Sequence, residues 1–158
     1  MRETVVAQQR QEIEAILARS AFYRGLSMLL RHPDADAAQW LALEEHHRLP
    51  EIIKWLTKGE SGPLQEAVGR LVDEMDATSV PKWTHRYEEI FGHSVHGAAP
   101  PYELEYGQEH EQRQPQELGD ITAFYQAFGL RVCSSAHERA DHIVTECEFL
   151  QFLLYKQA

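Results

Sequence analysis

The chain has 158 residues, 43% of them hydrophobic and 25% charged, which suits one domain whose core removes roughly 70% of the unfolded surface from water. Its 15 Lys and Arg stand against 25 Asp and Glu, a formal charge of -10. That balance excludes the cationic footprint of a nucleic-acid binder and favours cationic partners. The nine histidines offset much of this charge below about pH 6.

No apolar run approaches the roughly 18 residues of a membrane span. The start, Met1-Arg2-Glu3-Thr4, lacks the apolar core of a secretory signal. Cys133 and Cys147 make no disulfide framework. A protein of the reducing cytoplasm is the expectation.

In chain order, the first helix is expected from about Glu3 to Arg31. Ile13, Ile16, Leu17, Phe22, Leu26, Leu29 and Leu30 recur at steps of three and four. Gly25 within it suits a close helix contact. His32-Pro33-Asp34 ends it, and Asp34 or Asp36 caps a second helix reaching His47. Pro50 opens a short helix to Lys58-Gly59. Pro63 starts a fourth, to Asp76, and Ser79 precedes a fifth that closes at Phe91-Gly92. A non-helical stretch of more than twenty residues, about 92–115, follows. Pro115 then begins a helix ending at Gly129, and the last helix starts at about His137 or Glu138. No alternating strand pattern of convincing length appears, so the fold class is all-α, a single helical bundle over 1–158. The last helix is apolar on nearly all sides, so further chain or a second protomer exchanging helices is expected to cover it.

Within the long connection, Pro100-Pro101 forbids helix and holds the chain extended. An extended continuation sets Tyr102, Leu104 and Tyr106 on one side and Glu103 and Glu105 on the other. The result is either a packing anchor or a stiff aromatic and acidic lip for a cationic, partly apolar peptide. Glu138, Asp141 and His142 form a second cluster at the start of the last helix, suited to capping or to presenting acceptors to a cation, with His142 tuning it by pH.

Other chemistry is poorly supported. Glu44 and His47 have the Glu-x-x-His spacing of carboxylate-bridged metal sites, but no second copy exists. His93 and His96 lack partners at ligand spacing. No Gly-x-Ser-x-Gly elbow or glycine-rich phosphate loop is present. A small helical enzyme or nucleotide-handling protein using Asp141 and His142 for acid–base work is the alternative reading.

Five motifs then occur in order. They are Tyr87-x-x-x-Phe91-Gly92, Pro100-Pro101-Tyr102-Glu103-x-x-Tyr106, Phe124-Tyr125-x-x-Phe128-Gly129-Leu130, Glu138-Arg139-x-Asp141-His142 and Glu146-x-Glu148-Phe149-Leu150. This succession resembles the TorD/DmsD/NarJ superfamily of cytoplasmic redox-enzyme maturation chaperones. The Pro-Pro-Tyr-Glu variant is similar to the branch serving dimethylsulfide- and ethylbenzene-dehydrogenase-like molybdoenzymes.

The resemblance implies a non-enzymatic chaperone that binds an apo-molybdoenzyme subunit, in many members through its twin-arginine signal peptide, until the molybdenum cofactor is inserted. It implies client-binding roles for Tyr102, Glu103, Tyr106, Asp141 and His142, and Glu138 stands beside them in the same cluster. No cofactor or metal of the chain's own is expected. Two departures are visible: Ala140 stands where the family usually has proline, and the family's further helices after Glu146-x-Glu148-Phe149-Leu150 are absent.

Overall fold

The computed structural model describes residues 2–60, 62–92, 99–106, 110–133 and 138–158. These residues form seven α-helices, with no strand among them: α1 Arg2–Leu30, α2 Ala35–Ala42, α3 Leu49–Leu56, α4 Pro63–Asp76, α5 Val80–Phe91, α6 His110–Ala127 and α7 Ile143–Gln157. Two short 3-10 turns, Glu45–Arg48 and Glu103–Glu105, lie between them. The expected all-α bundle is therefore the fold.

Several boundaries follow directly from local chemistry. Asp34 caps α2 by accepting the Ala37 N–H at 2.9 Å. Proline stands in the first turn of α3, α4 and α5, where its missing N–H removes nothing. Gly92 closes α5 at φ 72°, a conformation glycine adopts freely. At Gly25 an added Cβ would lie 2.6 Å from Leu49 Cδ2, so the glycine does permit the close crossing of α1 and α3.

Three expectations are corrected. The second helix stops at Ala42, and the chain re-enters a 3-10 turn through Glu44 in the left-handed region at φ 54°. Helix α6 begins at His110 and carries Pro115 inside it, so the non-helical connection is shorter than 92–115. As the sixth residue of the helix, Pro115 forfeits one intrahelical N–H bond. The last helix begins at Ile143, because the Pro-Pro loop pairs with His142 and bonds the Asp141 carbonyl and the Ile143 N–H.

The apolar core gathers Met28, Trp40, Leu49, Ile53, Met75 and Trp83 from α1 through α5. Helix α1 runs on to make its most extensive packing with α7. Ser20 Oγ there donates to the Gln151 carbonyl at 3.0 Å. Helix α6 reaches α7 through rings: Phe124, Tyr125 and Phe128 each lie within 5.5 Å of Phe149, centroid to centroid. Helix α7 thus has neighbours within the chain on two sides, while Leu150 and Tyr155 remain at the surface. Cys147 is buried and Cys133 exposed.

Candidate functional site

The site is built where the Pro-Pro loop meets the start of α7. Pro101 has no N–H to offer, but its carbonyl accepts the Ile143 N–H at 2.9 Å, and the Glu103 N–H donates to the Asp141 carbonyl at 2.9 Å. These two bonds flank an antiparallel bridge between Tyr102 and His142. In such a non-hydrogen-bonded pair the side chains approach closely. The Tyr102 and His142 rings meet edge to face, 5.1 Å apart at 76°. One strand-like contact thus pins the loop and satisfies one of the orphan donors of α7.

Asp141 is fully buried, at 0% exposure. Arg139 donates to its two oxygens at 2.9 and 2.8 Å, and the Leu104 N–H adds a third bond at 3.3 Å. The same guanidinium donates to Glu105 at 3.1 Å and sits 4.6 Å over the Tyr102 ring. Burial works against the Arg139 charge, but the carboxylates of Asp141 and Glu105 hold its pKa above the ordinary value. The arginine therefore locks the turn Glu103–Glu105 to the start of α7 by a forked ion pair.

His142 is 1% exposed. Its Nδ1 caps α7 by accepting the Val144 N–H at 3.1 Å, so the neutral ring carries its proton on Nε2, facing Glu138 Oε2 at 3.5 Å. Desolvation pushes its pKa down to about 4 against the opposing pull of Asp141. This corrects the expectation of a pH-tuned cluster: the ring is already neutral through the physiological range. Asp141 likewise does not present acceptors, because Arg139 and the loop occupy them. Neither group is available for proton transfer to a substrate, which weighs against acid–base chemistry here.

The six residues singled out from sequence divide accordingly. Tyr102, Asp141 and His142 are brought together in the clamp, with Glu138 beside it. Glu103 contributes its backbone and exposes its side chain. Tyr106 is 69% exposed, one turn beyond the clamp. The expected alternation of tyrosines and glutamates fails, because residues 103–105 form a 3-10 turn and Glu105 turns inward to Arg139. Glu44 and His47 are paired weakly at 3.7 Å. His93 and His96 lie outside the described residues.

Beside the clamp opens a cavity of about 750 Å³ between the Pro-Pro loop, α5 and α7. Tyr87, Phe91, Tyr125, Phe149 and Phe152 make its walls aromatic, and Tyr102 and Glu138 bring the clamp to its edge. Its polar groups include Arg31, paired with Asp34 at 3.1 Å, and Glu148. Burial raises the carboxyl pKa of both Glu138 and Glu148, against the opposing pull of His32 and Arg31 on Glu138 and of Arg31 on Glu148. A desolvated carboxylate of this kind gains from a cation brought alongside it. Burial also pushes Tyr87 and Tyr125 up to about 12, so both remain neutral hydroxyls. This volume and mixture suit an apolar peptide segment carrying positive charge.

The sequence reading missed Arg139 as the keystone, and missed Glu148, Phe149 and Phe152 as cavity wall. The arginine two residues before a buried aspartate was the available signal for the first. The tertiary approach of α5 and α7 had none.

The family described as "Nitrate reductase delta subunit" matches residues 58–158. A relative described as "Chlorate reductase assembly chaperone protein", from Ideonella dechloratans, is 26% identical over 133 residues, which are 84% of this chain and 63% of the relative. The chain thus spans just under two thirds of that relative's length. The matched residues contain the whole clamp and most of the cavity wall. The chain belongs to the nitrate reductase delta subunit family, within the TorD/DmsD/NarJ superfamily that its motif order resembles.

Proposed function

We propose that this protein is an assembly chaperone for a molybdoenzyme catalytic subunit in the cytoplasm, and that it is not itself an enzyme. It holds a cationic, partly apolar segment of the unfinished client, such as a twin-arginine signal peptide, until the cofactor is in place. The observation that carries this reading is the aromatic cavity edged by Tyr102, Glu138 and Glu148, set against a clamp with no free catalytic group. Family membership and the chaperone relative support it.

In this reading the residues have distinct roles. Tyr102, Glu138 and the cavity aromatics touch the client, Glu103 and Tyr106 extend the contact from the exposed rim, and Asp141 and His142 position the loop. The acidic surface, at -10 overall, draws the positive segment in and makes association salt-dependent.

The test is calorimetric titration with a peptide carrying the Arg-Arg signal of the client, at low and high salt. Binding is expected, weaker at high salt, and Glu138→Gln should reduce affinity about tenfold without changing helicity. A folded protein that binds neither the peptide nor the client subunit would overturn the proposal. Steady turnover of a small substrate, abolished by His142→Ala, would favour the enzyme reading instead.

A further inference from the structure

A second cluster of chemistry-bearing side chains lies in the part of the bundle far along the chain from the clamp, and the chaperone reading makes no use of it. The 3-10 turn Glu45–Arg48 carries His46 and His47, and α4 ends at Asp76. His46 Nε2 lies 2.8 Å from Asp76 Oδ1, and His47 Nε2 lies 2.7 Å from the same oxygen. Successive residues of a 3-10 helix point about 120° apart, so convergence of two neighbours on one atom is not automatic. The turn achieves it after Glu44 takes a left-handed backbone (φ 54°), uncommon for a residue other than glycine.

The burial pattern is that of a site with one anchored ligand and an open side. His46 is 2% exposed, held against the Trp40 ring at 5.7 Å, and its Nδ1 has no hydrogen-bond partner among the described residues. An imidazole buried with one orphan nitrogen is costly where an apolar ring would pack as well. What it offers in return is Nε2, aimed at the cluster. His47 and Asp76 are about half exposed, giving solvent a path in. His47 also turns its Nδ1 toward Glu44 Oε2 at 3.7 Å, the kind of outer carboxylate that orients a metal-bound histidine.

We propose that His46, His47 and Asp76 bind a divalent transition-metal ion of the Zn²⁺ class, joining the turn before α3 to the end of α4. Two imidazoles and one carboxylate are borderline ligands suited to Zn²⁺, Co²⁺ or Ni²⁺ rather than to Mg²⁺ or Ca²⁺. The ligand atoms lie within 4.8 Å of one another. A tetrahedral ion with bonds of about 2.0–2.1 Å needs ligand separations of about 3.4 Å. Small rotations of the half-exposed Asp76 and His47 side chains open the two His–Asp contacts and adjust the His–His separation toward that spacing. Water completes the coordination from the open side. The sequence reading paired His47 with Glu44 alone, because a contact across some thirty residues leaves no local spacing.

The test uses untagged, metal-stripped full chain titrated with Zn²⁺ by calorimetry and with Co²⁺ by visible d–d absorption. One equivalent is expected to bind at micromolar concentration and to raise the melting temperature. His47→Gln and Asp76→Asn, at half-exposed positions that keep hydrogen-bonding capacity, should each weaken binding at least about tenfold. His85→Gln, at an exposed histidine whose neighbour is Glu89, should leave it unchanged. No binding below millimolar metal, or equal binding by the wild type, His47→Gln and Asp76→Asn, overturns the assignment.

Discussion

The core of α1–α5 and the clamp at α7 are held together by different physics. Around Ile53 and Trp40 the contacts are apolar and non-directional, so stability scales with the surface removed from water. Around Asp141 the contacts are few, directed and mutually dependent: one guanidinium serves two carboxylates and a tyrosine face. Shape errors in the first region are graded. In the second, losing one partner leaves the other charged and poorly solvated. A protein built this way keeps a stable body while holding its Pro-Pro loop in one geometry.

The largest effect should come from breaking the clamp. Asp141→Ala strips Arg139 of two bonds and the Leu104 N–H of its acceptor, and should cost about 3–5 kcal/mol in urea unfolding. A loss under about 1 kcal/mol would place the clamp with ordinary surface pairs and erase the contrast.

The core should respond in proportion. Ile53, at 0% exposure, should lose about 2–5 kcal/mol as Ile53→Ala and only about 0.5–1.5 kcal/mol as Ile53→Val. Equal losses for the two variants would mean that this site, too, depends on one shape.

Acid should distinguish the regions next. His142 falls from 6.5 to about 4 on folding, so between those values the unfolded chain takes up a proton that the folded chain refuses. Its contribution is full above pH 6.5 and is lost as pH falls toward 4, by up to about 3 kcal/mol. The raised carboxyls of Glu138, Glu146 and Glu148 act in the opposite sense. The measurement is therefore the difference between the wild type and His142→Asn, which keeps an N-cap acceptor and cannot titrate. The variant should lose about 1 kcal/mol at pH 7 and show a flatter acid limb. Parallel pH profiles would remove His142 as the cause.

The smallest effect belongs to the outer face of α1. Glu14→Gln breaks an exposed pair with Arg10 at 3.2 Å and should change stability by no more than about 0.5 kcal/mol.

Helix positions were legible wherever the cause is local: Asp34 as a cap, Pro63 in a first turn, Gly92 as a stop, Gly25 as a close contact. Legibility failed where a distant partner competes for the backbone. Residues 138–142 have helical spacing, yet the Pro-Pro loop takes the Asp141 carbonyl and the Ile143 N–H, and α7 starts only at Ile143. Glu105 belongs by alternation to an outward face, yet Arg139 draws it in. Of the candidate site, the residue types and their neighbourhood were readable. Which of them turn inward and which stay exposed was not, because burial is a property of the assembled fold.

What the amino-acid order determined by itself is an acidic all-helical chain, broken once by a proline pair, with its chemistry gathered near that break and at Glu138–His142. These features arise from periodicity, charge and proline geometry, which act within a few residues. Only the tertiary structure decided that the two segments meet in a bridge, that Asp141 and His142 turn inward, and that α5 and α7 leave an aromatic cavity beside them. Those outcomes depend on which buried polar group finds a partner, and the loop residues 101–105 that complete the set lie tens of residues from Arg139, Asp141 and Ile143.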